Sequence, residues 1–210
     1  MSLLINPYRY ATGAAALVSD TFTRADGVGL GNAETGQAWG TDASTFRIVS
    51  NTARQSLTPG SSYQFATINP GTADVDVVVH ATPSNLSGND FGVVVRFTDT
   101  DNHVLFDVTK LGGGWLCRVF EKVAGGAYSG VTTLQSPPAG LDNTFDPFRM
   151  RVVVNGTAGE AFLSAMADPL GAWNSMGTWT VNAALTANTV GLAPSESQQV
   201  AFDNFTVTAA

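Results

Sequence analysis

Apolar and polar residues alternate along much of this chain, most clearly in the stretch 89–108. The first half of that stretch has an apolar residue at every second position, namely Phe91, Val93, Val95 and Phe97. Residues 98–102 are Thr, Asp and Asn, which favour turns because their side chains hydrogen-bond the local backbone. The alternation resumes with Val104, Phe106 and Val108. Because successive side chains of a β-strand point to opposite faces, we predict a β-hairpin with one face in a hydrophobic core.

The other face of this predicted hairpin is polar. It carries Arg96, His103 and Asp107, and the next predicted strand adds Trp115 and Arg118. Trp stacks on the apolar face of a sugar, while Arg and Asp fix hydroxyl groups through charged hydrogen bonds. These five residues are the candidate site for the carbohydrate recognition that the family resemblance described below implies. Trp115 and Arg118 have opposite parity, so both face a ligand only if the strand bulges; core packing is the alternative for Trp115.

Similar short runs, separated by turn signals, recur through most of the remaining sequence. The predicted strands outside the hairpin are 45–50, 53–57, 63–69, 73–82, 115–123, 128–134, 148–154, 160–166, 189–192 and 199–208. Asn155 and Gly156 together predict a tight turn between two of these strands. No segment shows sustained helical periodicity. We therefore predict an all-β protein, an antiparallel β-sandwich or jelly roll.

The first nineteen residues differ in character from the rest of the chain. They combine an apolar start with an Ala-rich run. Clustered apolar residues in water mark interaction sites, so we predict an extended arm at 1–19 that docks on a partner or a neighbouring subunit. A flexible tail is the alternative, and the domain proper is expected at 20–210. The docking residues are expected to be Leu3, Leu4, Ile5, Tyr8 and Tyr10.

The last predicted strand contains a break in its alternation. Its apolar residues have one parity at Val200 and Phe202 and the other at Phe205 and Val207. Such a switch requires an inserted residue, so we predict a β-bulge at positions 203 and 204. A bulge frees Asp203 to bind a structural calcium ion together with Asp20, since carboxylate oxygens are the ligands calcium prefers. The alternative is a backbone hydrogen bond to Asp203.

Charge and composition exclude several classes of function. The net charge is −7 with only 10 Lys and Arg residues, which argues against nucleic acid and anionic membrane surfaces as partners. No apolar run approaches the roughly 20 residues that span a bilayer. The single cysteine, Cys117, forms no intramolecular disulfide, and we expect it to be a small buried residue.

The sequence has few of the residues that usually act as catalytic groups. Glycoside hydrolysis needs two carboxylates flanking the scissile bond, and no Glu has a second acidic residue two or four positions away. Asp74 and Asp76 do have that spacing, and we expect them on an outer, solvated face. Two His residues and one Cys are too few for a zinc site, and no nucleophile-elbow motif occurs. We therefore expect no enzymatic activity.

Four stretches resemble a known superfamily. They are DTFTRADGVGLGNAETGQAW, NDFGVVVRFTDTDNHVLFDV, RMRVVVNGTAGEAFLSA and VAFDNFTVT. They are similar to concanavalin A-like lectins and glucanases, especially the laminin-G-like jelly rolls of bacterial surface proteins and tailed-phage virion proteins. The opening MSLLINPYRY resembles the start of structural proteins of phages that infect actinobacteria. The resemblance implies two curved antiparallel sheets, often a calcium ion, and sugar recognition on the concave face or rim loops.

The resemblance also implies a biological setting. We expect a non-catalytic virion protein of the minor tail or decoration type, made in the host cytoplasm and displayed on the virion surface. It would contact other virion proteins through its arm, bind host-surface glycans and form a homo-oligomer, for which a trimer fits by analogy. The alternatives are a purely structural capsid or tail component, and an extracellular carbohydrate-binding module or glycan hydrolase.

Overall fold

Sixteen β-strands and no helix make up the part of the chain that the computed structural model describes. The strands form two antiparallel sheets that pack face to face, so the predicted β-sandwich is confirmed. None of the described residues forms a helix that would span a bilayer. The described residues are 15–41, 45–55, 63–83, 90–111, 114–134, 147–166, 173–195 and 200–210.

Nine strands form the larger sheet, in the order β14-β13-β12-β7-β16-β5-β4-β2, with β1 also paired to β16. Their bounds are β1 Val18–Asp20, β2 Gly27–Val28, β4 Phe46–Val49, β5 Thr52–Gln55, β7 Val75–Pro83, β12 Phe148–Asn155, β13 Ala158–Ala165, β14 Asn174–Thr180 and β16 Val200–Ala209. Because β1 begins at Val18, the last residues of the segment 1–19 belong to this sheet. The docking residues predicted between Leu3 and Tyr10 lie outside the described residues.

Seven strands form the other sheet, in the order β11-β10-β9-β8-β15-β6-β3. Their bounds are β3 Gly40–Thr41, β6 Ala66–Ile68, β8 Asp90–Asp99, β9 Asn102–Leu111, β10 Gly114–Lys122, β11 Ser129–Leu134 and β15 Val190–Pro194. The strands β8 and β9 are the hairpin that the alternation predicts, and they lie at the centre of this sheet.

The hydrophobic core lies between the two sheets and follows the period-two pattern. Buried side chains in β7, β12 and β16 face buried side chains in β8, β9 and β10. Phe91 of β8, for example, lies 5.9 Å from Phe148 of β12 and 6.4 Å from Phe202 of β16, measured between ring centroids. Cys117 is fully buried in this core, as expected, and burial raises the pKa of its thiol to about 12.

Asp20 is a buried hydrogen-bond hub at the end of β1. Its Oδ2 accepts hydrogen bonds from Nη2 of Arg24, at 2.6 Å, and from Nε1 of Trp39, at 2.7 Å. Its Oδ1 accepts one from the backbone N–H of Phe22, at 2.8 Å. Trp39 in turn packs 5.0 Å from Phe205. The carboxylate therefore ties the start of the domain to the loop that carries Trp39.

The bulge predicted in the last strand is present. The pairing of β16 with β7 shifts register between Asp203 and Thr206, and Asn204 has a φ of 48°. The side chain of Asp203 accepts a hydrogen bond from the backbone N–H of Asn204, at 2.7 Å. The inserted residue allows Phe202 and Phe205 both to point into the core, which the simple alternation forbids.

A second bulge re-aims Arg96 in β8. The pairing with β9 shifts register between Val95 and Asp99, and Arg96 has a φ of 53°. Its buried guanidinium extends to the other sheet, where Nη2 donates to Asp74 and to the carbonyl of Gly156, each at 2.9 Å. Arg96 therefore links the two sheets, and the expectation that it shares a face with His103 and Asp107 is wrong.

Candidate functional site

The outer face of the seven-stranded sheet has a buried carboxylate at its centre. Asp107 of β9 is fully buried, and its Oδ1 accepts a hydrogen bond from the Tyr63 hydroxyl at 2.9 Å. Its Oδ2 accepts from Nε of Arg118, at 2.8 Å, and also from Nη2. The same Nη2 lies 3.1 Å from Oδ1 of Asp90. Arg118 is thus held between two carboxylates from the neighbouring strands β8 and β9.

The electrostatics of this cluster are set by burial. Burial raises the pKa of Asp107 to about 7, with a further contribution from the negative charge of Asp90. The Arg118 cation opposes this shift but does not cancel it. Burial also raises the pKa of Tyr63, which therefore donates as a neutral hydroxyl. Burial therefore works against the negative charge of Asp107, which the contacts with Arg118 and Tyr63 favour.

Aromatic rings surround Arg118 on the same face. The guanidinium carbon of Arg118 lies 4.8 Å from the centre of the Phe120 ring. Tyr128 packs edge-on against Phe120, with ring centres 5.8 Å apart, and against Tyr63, at 6.2 Å. Tyr128 is 39% exposed, so part of its ring faces solvent. The face thus joins solvent-exposed aromatic surface to fixed charged groups.

His103 holds the Tyr128 side chain in position through a hydrogen bond. Its Nδ1 lies 3.1 Å from the carbonyl oxygen of Asp99, and its Nε2 lies 3.0 Å from the Tyr128 hydroxyl. Burial lowers the pKa of His103, so the ring is neutral. Because a carbonyl only accepts, Nδ1 carries the proton and Nε2 accepts from Tyr128. His103 is itself fully buried, so its part in the site is to orient the exposed ring.

Three of the five predicted carbohydrate residues lie together. His103, Asp107 and Arg118 share the outer face of β9 and β10, as their parity predicts. Arg96 lies elsewhere because of its bulge. Trp115 lies in β10 opposite Lys110, and its side chain is outside the described part of the structure.

Four residues of the site were not among the predicted ones. Phe120 has the same parity as Arg118, so the alternation of β10 contained a signal for it. Tyr63, Asp90 and Tyr128 reach the site from separate segments, and no local pattern connects them to Asp107. Only the pairing of the strands brings them together.

The predicted calcium pair does not fit a metal site. Both oxygens of Asp20 are already occupied by Arg24, Trp39 and the Phe22 backbone, and the paired cation opposes a divalent ion. Asp203 instead accepts from a backbone N–H, the alternative that the sequence left open. Among the described residues no group of three or more His, Cys, Asp or Glu side chains is arranged to hold a metal ion.

Comparisons with known proteins identify the fold. No family model matches the chain, and no curated protein matches it. Solved structures do match. The GH43 protein BlXynB from Bacillus licheniformis is 17% identical with a TM-score of 0.67, over 91% of this chain and 39% of that one. This chain therefore spans well under half of that protein.

Two other solved structures match over most of their own length. The CBM2 module of the evolved Dit of Lactobacillus casei BL23 phage J-1 is 12% identical with a TM-score of 0.57, over 91% of this chain and 94% of that one. The exoplasmic domain of VIP36, solved with Ca²⁺ and Man2, is 12% identical with a TM-score of 0.52, over 83% of this chain and 81% of that one. At these identities the likeness shows a sandwich fold shared with glycan-related proteins.

The expectation that the chain is not an enzyme is wrong. The solved structures that share its fold include GH43 glycoside hydrolases, so the fold occurs in enzymes that act on glycans. That expectation considered only acidic pairs along a single strand. The structure instead brings Asp90 of β8 and Asp107 of β9 to one nitrogen of Arg118.

Proposed function

We propose that this chain binds carbohydrate through the outer face of the seven-stranded sheet. The observation that carries the proposal is the placement of Arg118, which is held by Asp107 and Asp90 and stacked on Phe120 beside the exposed ring of Tyr128. Aromatic rings adjoining fixed, charged hydrogen-bonding groups suit a ligand with apolar C–H faces and many hydroxyls.

Each part of the cluster has a defined task in this proposal. The rings of Tyr128 and Phe120 contact the apolar face of a sugar. Asp90, whose side chain is 32% exposed, accepts hydrogen bonds from sugar hydroxyls. Arg118, whose side chain is 23% exposed, bonds the two carboxylates through Nε and Nη2, and among the described residues Nη1 has no acceptor, so it is assigned to donate to the ligand. Asp107 fixes the guanidinium before the ligand arrives, which lowers the entropic cost of binding.

The fold comparisons support the same class of ligand. VIP36 was solved with Man2, and BlXynB is a GH43 protein. Because Asp90, Arg118 and Tyr128 are only partly exposed, we expect weak binding, on the order of millimolar and about −4 kcal/mol.

Substitution of Tyr128 by alanine is expected to weaken binding of neutral oligosaccharides about ten-fold, because the exposed stacking surface is lost. Isothermal titration calorimetry against a panel of mannose, xylose and glucose oligosaccharides measures this. Val28→Ala is the matched control, since Val28 is 81% exposed on β2 of the other sheet. No binding across the panel, or equal weakening by the control substitution, would reject the proposal.

A second candidate function, glycan hydrolysis, is favoured by one specific observation. Asp90 and Asp107 contact the same nitrogen of Arg118, and Asp107 has a pKa of about 7. Glycosidases divide the acid and base roles between two carboxyl groups that flank the scissile bond. In this candidate Asp107 is the proton donor and the partly exposed Asp90 is the second carboxyl group.

The hydrolysis candidate predicts that the protein releases reducing sugar from a polysaccharide it binds, and that Asp107→Asn abolishes release but weakens oligosaccharide binding only in part, because the amide oxygen of Asn still accepts from Arg118. A reducing-sugar assay on the same panel, with calorimetry of the variant, checks both statements. Absence of release from every polysaccharide that binds would leave recognition alone as the function.

The narrower expectation of a virion protein is not part of this proposal. The phage Dit module shares only the fold, at 12% identity, and the same fold occurs in the GH43 protein and in VIP36. An extracellular carbohydrate-binding module or glycan hydrolase agrees better with the set of fold neighbours.

A further inference from the structure

Three arginines on the outer face of the nine-stranded sheet have no acidic partner within ion-pair distance among the described residues. They are Arg47 of β4, Arg54 of β5 and Arg149 of β12. A fourth, Arg151, pairs with Asp76 through two hydrogen bonds of 2.8 and 2.7 Å. This face thus carries four of the chain's ten Lys and Arg residues although the net charge is −7.

Arg47 and Arg54 face each other directly. They are cross-strand partners in the antiparallel pair β4–β5, and both point away from the core. Like charges directly opposite one another destabilise a sheet. Nε of Arg47 is buried without a hydrogen-bond partner, whereas Nε of Arg54 donates to the Thr52 hydroxyl at 3.2 Å. An anion bound between the two guanidinium groups would remove the repulsion.

Arg149 offers a different kind of contact on the same face. Its guanidinium carbon lies 5.0 Å from the centre of the Trp173 ring, and Nη2 donates to the Ser164 hydroxyl at 2.6 Å. Its Nε is buried without a partner. A guanidinium beside a partly exposed indole suits a charged group attached to a ring that stacks.

The two positions are separated by a short stretch of sheet. From β12 the order is β12-β7-β16-β5-β4, so at about 4.8 Å per strand Arg149 lies roughly 14 Å from β5 and roughly 19 Å from β4. His80 lies opposite Arg149, and Asp203 lies opposite His80. Burial lowers the pKa of His80, so it is neutral at pH 7. Asp203 lies between Arg149 and the Arg47–Arg54 pair, and its negative charge repels anions there. Anions are therefore confined to the two arginine positions.

We propose that the outer face of the nine-stranded sheet binds an acidic polysaccharide, with one acidic group between Arg47 and Arg54 and another at Arg149. Uronate carboxylates match the fork of a guanidinium, and a sugar ring matches the indole of Trp173. A polymer is required because a single sugar residue is too short to reach both positions. The inference rests on the proposed function only for the class of ligand and uses a different surface.

The experiment titrates the full chain with polygalacturonate at two salt concentrations and measures binding by isothermal titration calorimetry. The wild-type protein is expected to bind, more weakly at high salt. Arg54→Gln is expected to reduce the affinity about ten-fold, because it removes one charged contact; ten-fold corresponds to about 1.4 kcal/mol. Lys122→Gln removes the same charge from the other sheet, where Lys122 pairs with Asp101, and is expected to change affinity less than about two-fold.

Two further measurements, a melting temperature and a competition assay, exclude misfolding and distinguish between ligands. Arg54→Gln removes a like-charge contact, so its melting temperature should equal or exceed that of the wild type. Polyglutamate should compete weakly because it has no rings to stack, and single-stranded DNA should compete weakly because its phosphates are spaced differently from uronate carboxylates. Equal losses in the two variants, no binding, or equal competition by either polyanion would overturn the inference. Tyr128→Ala should leave polygalacturonate binding intact, which separates this result from failure of the proposed function.

Discussion

Substitution of Asp20 by alanine is expected to lower the free energy of unfolding by about 3 to 5 kcal/mol, because it leaves a partly buried cation and a buried indole N–H without their acceptor. Asp20 is 0% exposed and accepts from Arg24, Trp39 and the Phe22 backbone. The loss should loosen the contact between Trp39 and Phe205, and with it the junction of β1 and β16.

Urea denaturation followed by tryptophan fluorescence measures this loss. Asp203→Ala is the matched control, because the described residues give Asp203 one local hydrogen bond, from Asn204, and Asp203 lies in the same sheet. We expect the control to lose about 1 kcal/mol or less. Equal losses in both variants, seen only when calcium is present, would contradict the assignment of Asp20 and restore a calcium ion shared by the two carboxylates.

Gly92→Ala is expected to have an effect of similar size, about 3 kcal/mol or more. A Cβ atom at Gly92 would lie 1.9 Å from the carbonyl oxygen of Phe106 on the neighbouring strand. Backbone atoms cannot rotate aside as a flexible side chain does, so β8 and β9 must separate. Gly92 pairs with Asp107, and the separation should therefore also displace the carboxylate that holds Arg118 and weaken glycan binding.

The same denaturation measurement, together with calorimetry, checks this second expectation. Gly130→Ala is the control, because Gly130 also lies in the seven-stranded sheet but a Cβ there meets nothing within 4 Å. The control should remain within about 1 kcal/mol of the wild type. Wild-type stability in Gly92→Ala would show that the close approach of β8 and β9 is not required.

The sandwich was predictable because each strand is marked by a pattern of neighbouring residues in the sequence. A period of two along 148–154, for example, fixes both the strand β12 and the face that enters the core. The bulge near Asp203 was predictable for the same reason, since a switch of parity is visible in the sequence. The strands β2 and β3 are two residues long, too short to show a period. In β14, the register shift against β13 disrupts the alternation.

The site was only partly predictable because it is assembled across strands. Parity alone places His103, Asp107 and Arg118 on one face. Parity fails for Arg96, because the apolar pattern does not predict the bulge there or the φ of 53°. Tyr63 lies 44 residues before Asp107, and only the order of the strands brings its hydroxyl to the carboxylate.

The sequence argument against an enzyme considered only carboxylates along single strands. Carboxylates that cooperate need not share a strand, and Asp90 and Asp107 come from two strands of one hairpin. The pair with the expected spacing, Asp74 just before β7 and Asp76 within it, has other hydrogen-bond partners. Asp74 accepts from Arg96 and from the Gly156 backbone, while Asp76 pairs with Arg151. Spacing along the sequence therefore identifies neither the presence nor the absence of a catalytic pair.

The central claim is that glycans bind at the outer face of β9 and β10, and chemical-shift mapping tests it most directly. The isotope-labelled protein is titrated with the oligosaccharide that binds best in calorimetry. The account predicts that the largest amide shifts fall at Arg118, Phe120 and the turn that leads to Tyr128, and that Tyr128→Ala suppresses them. Shifts concentrated on β4, β5 and β12 instead, or no shifts at saturating ligand, would contradict it.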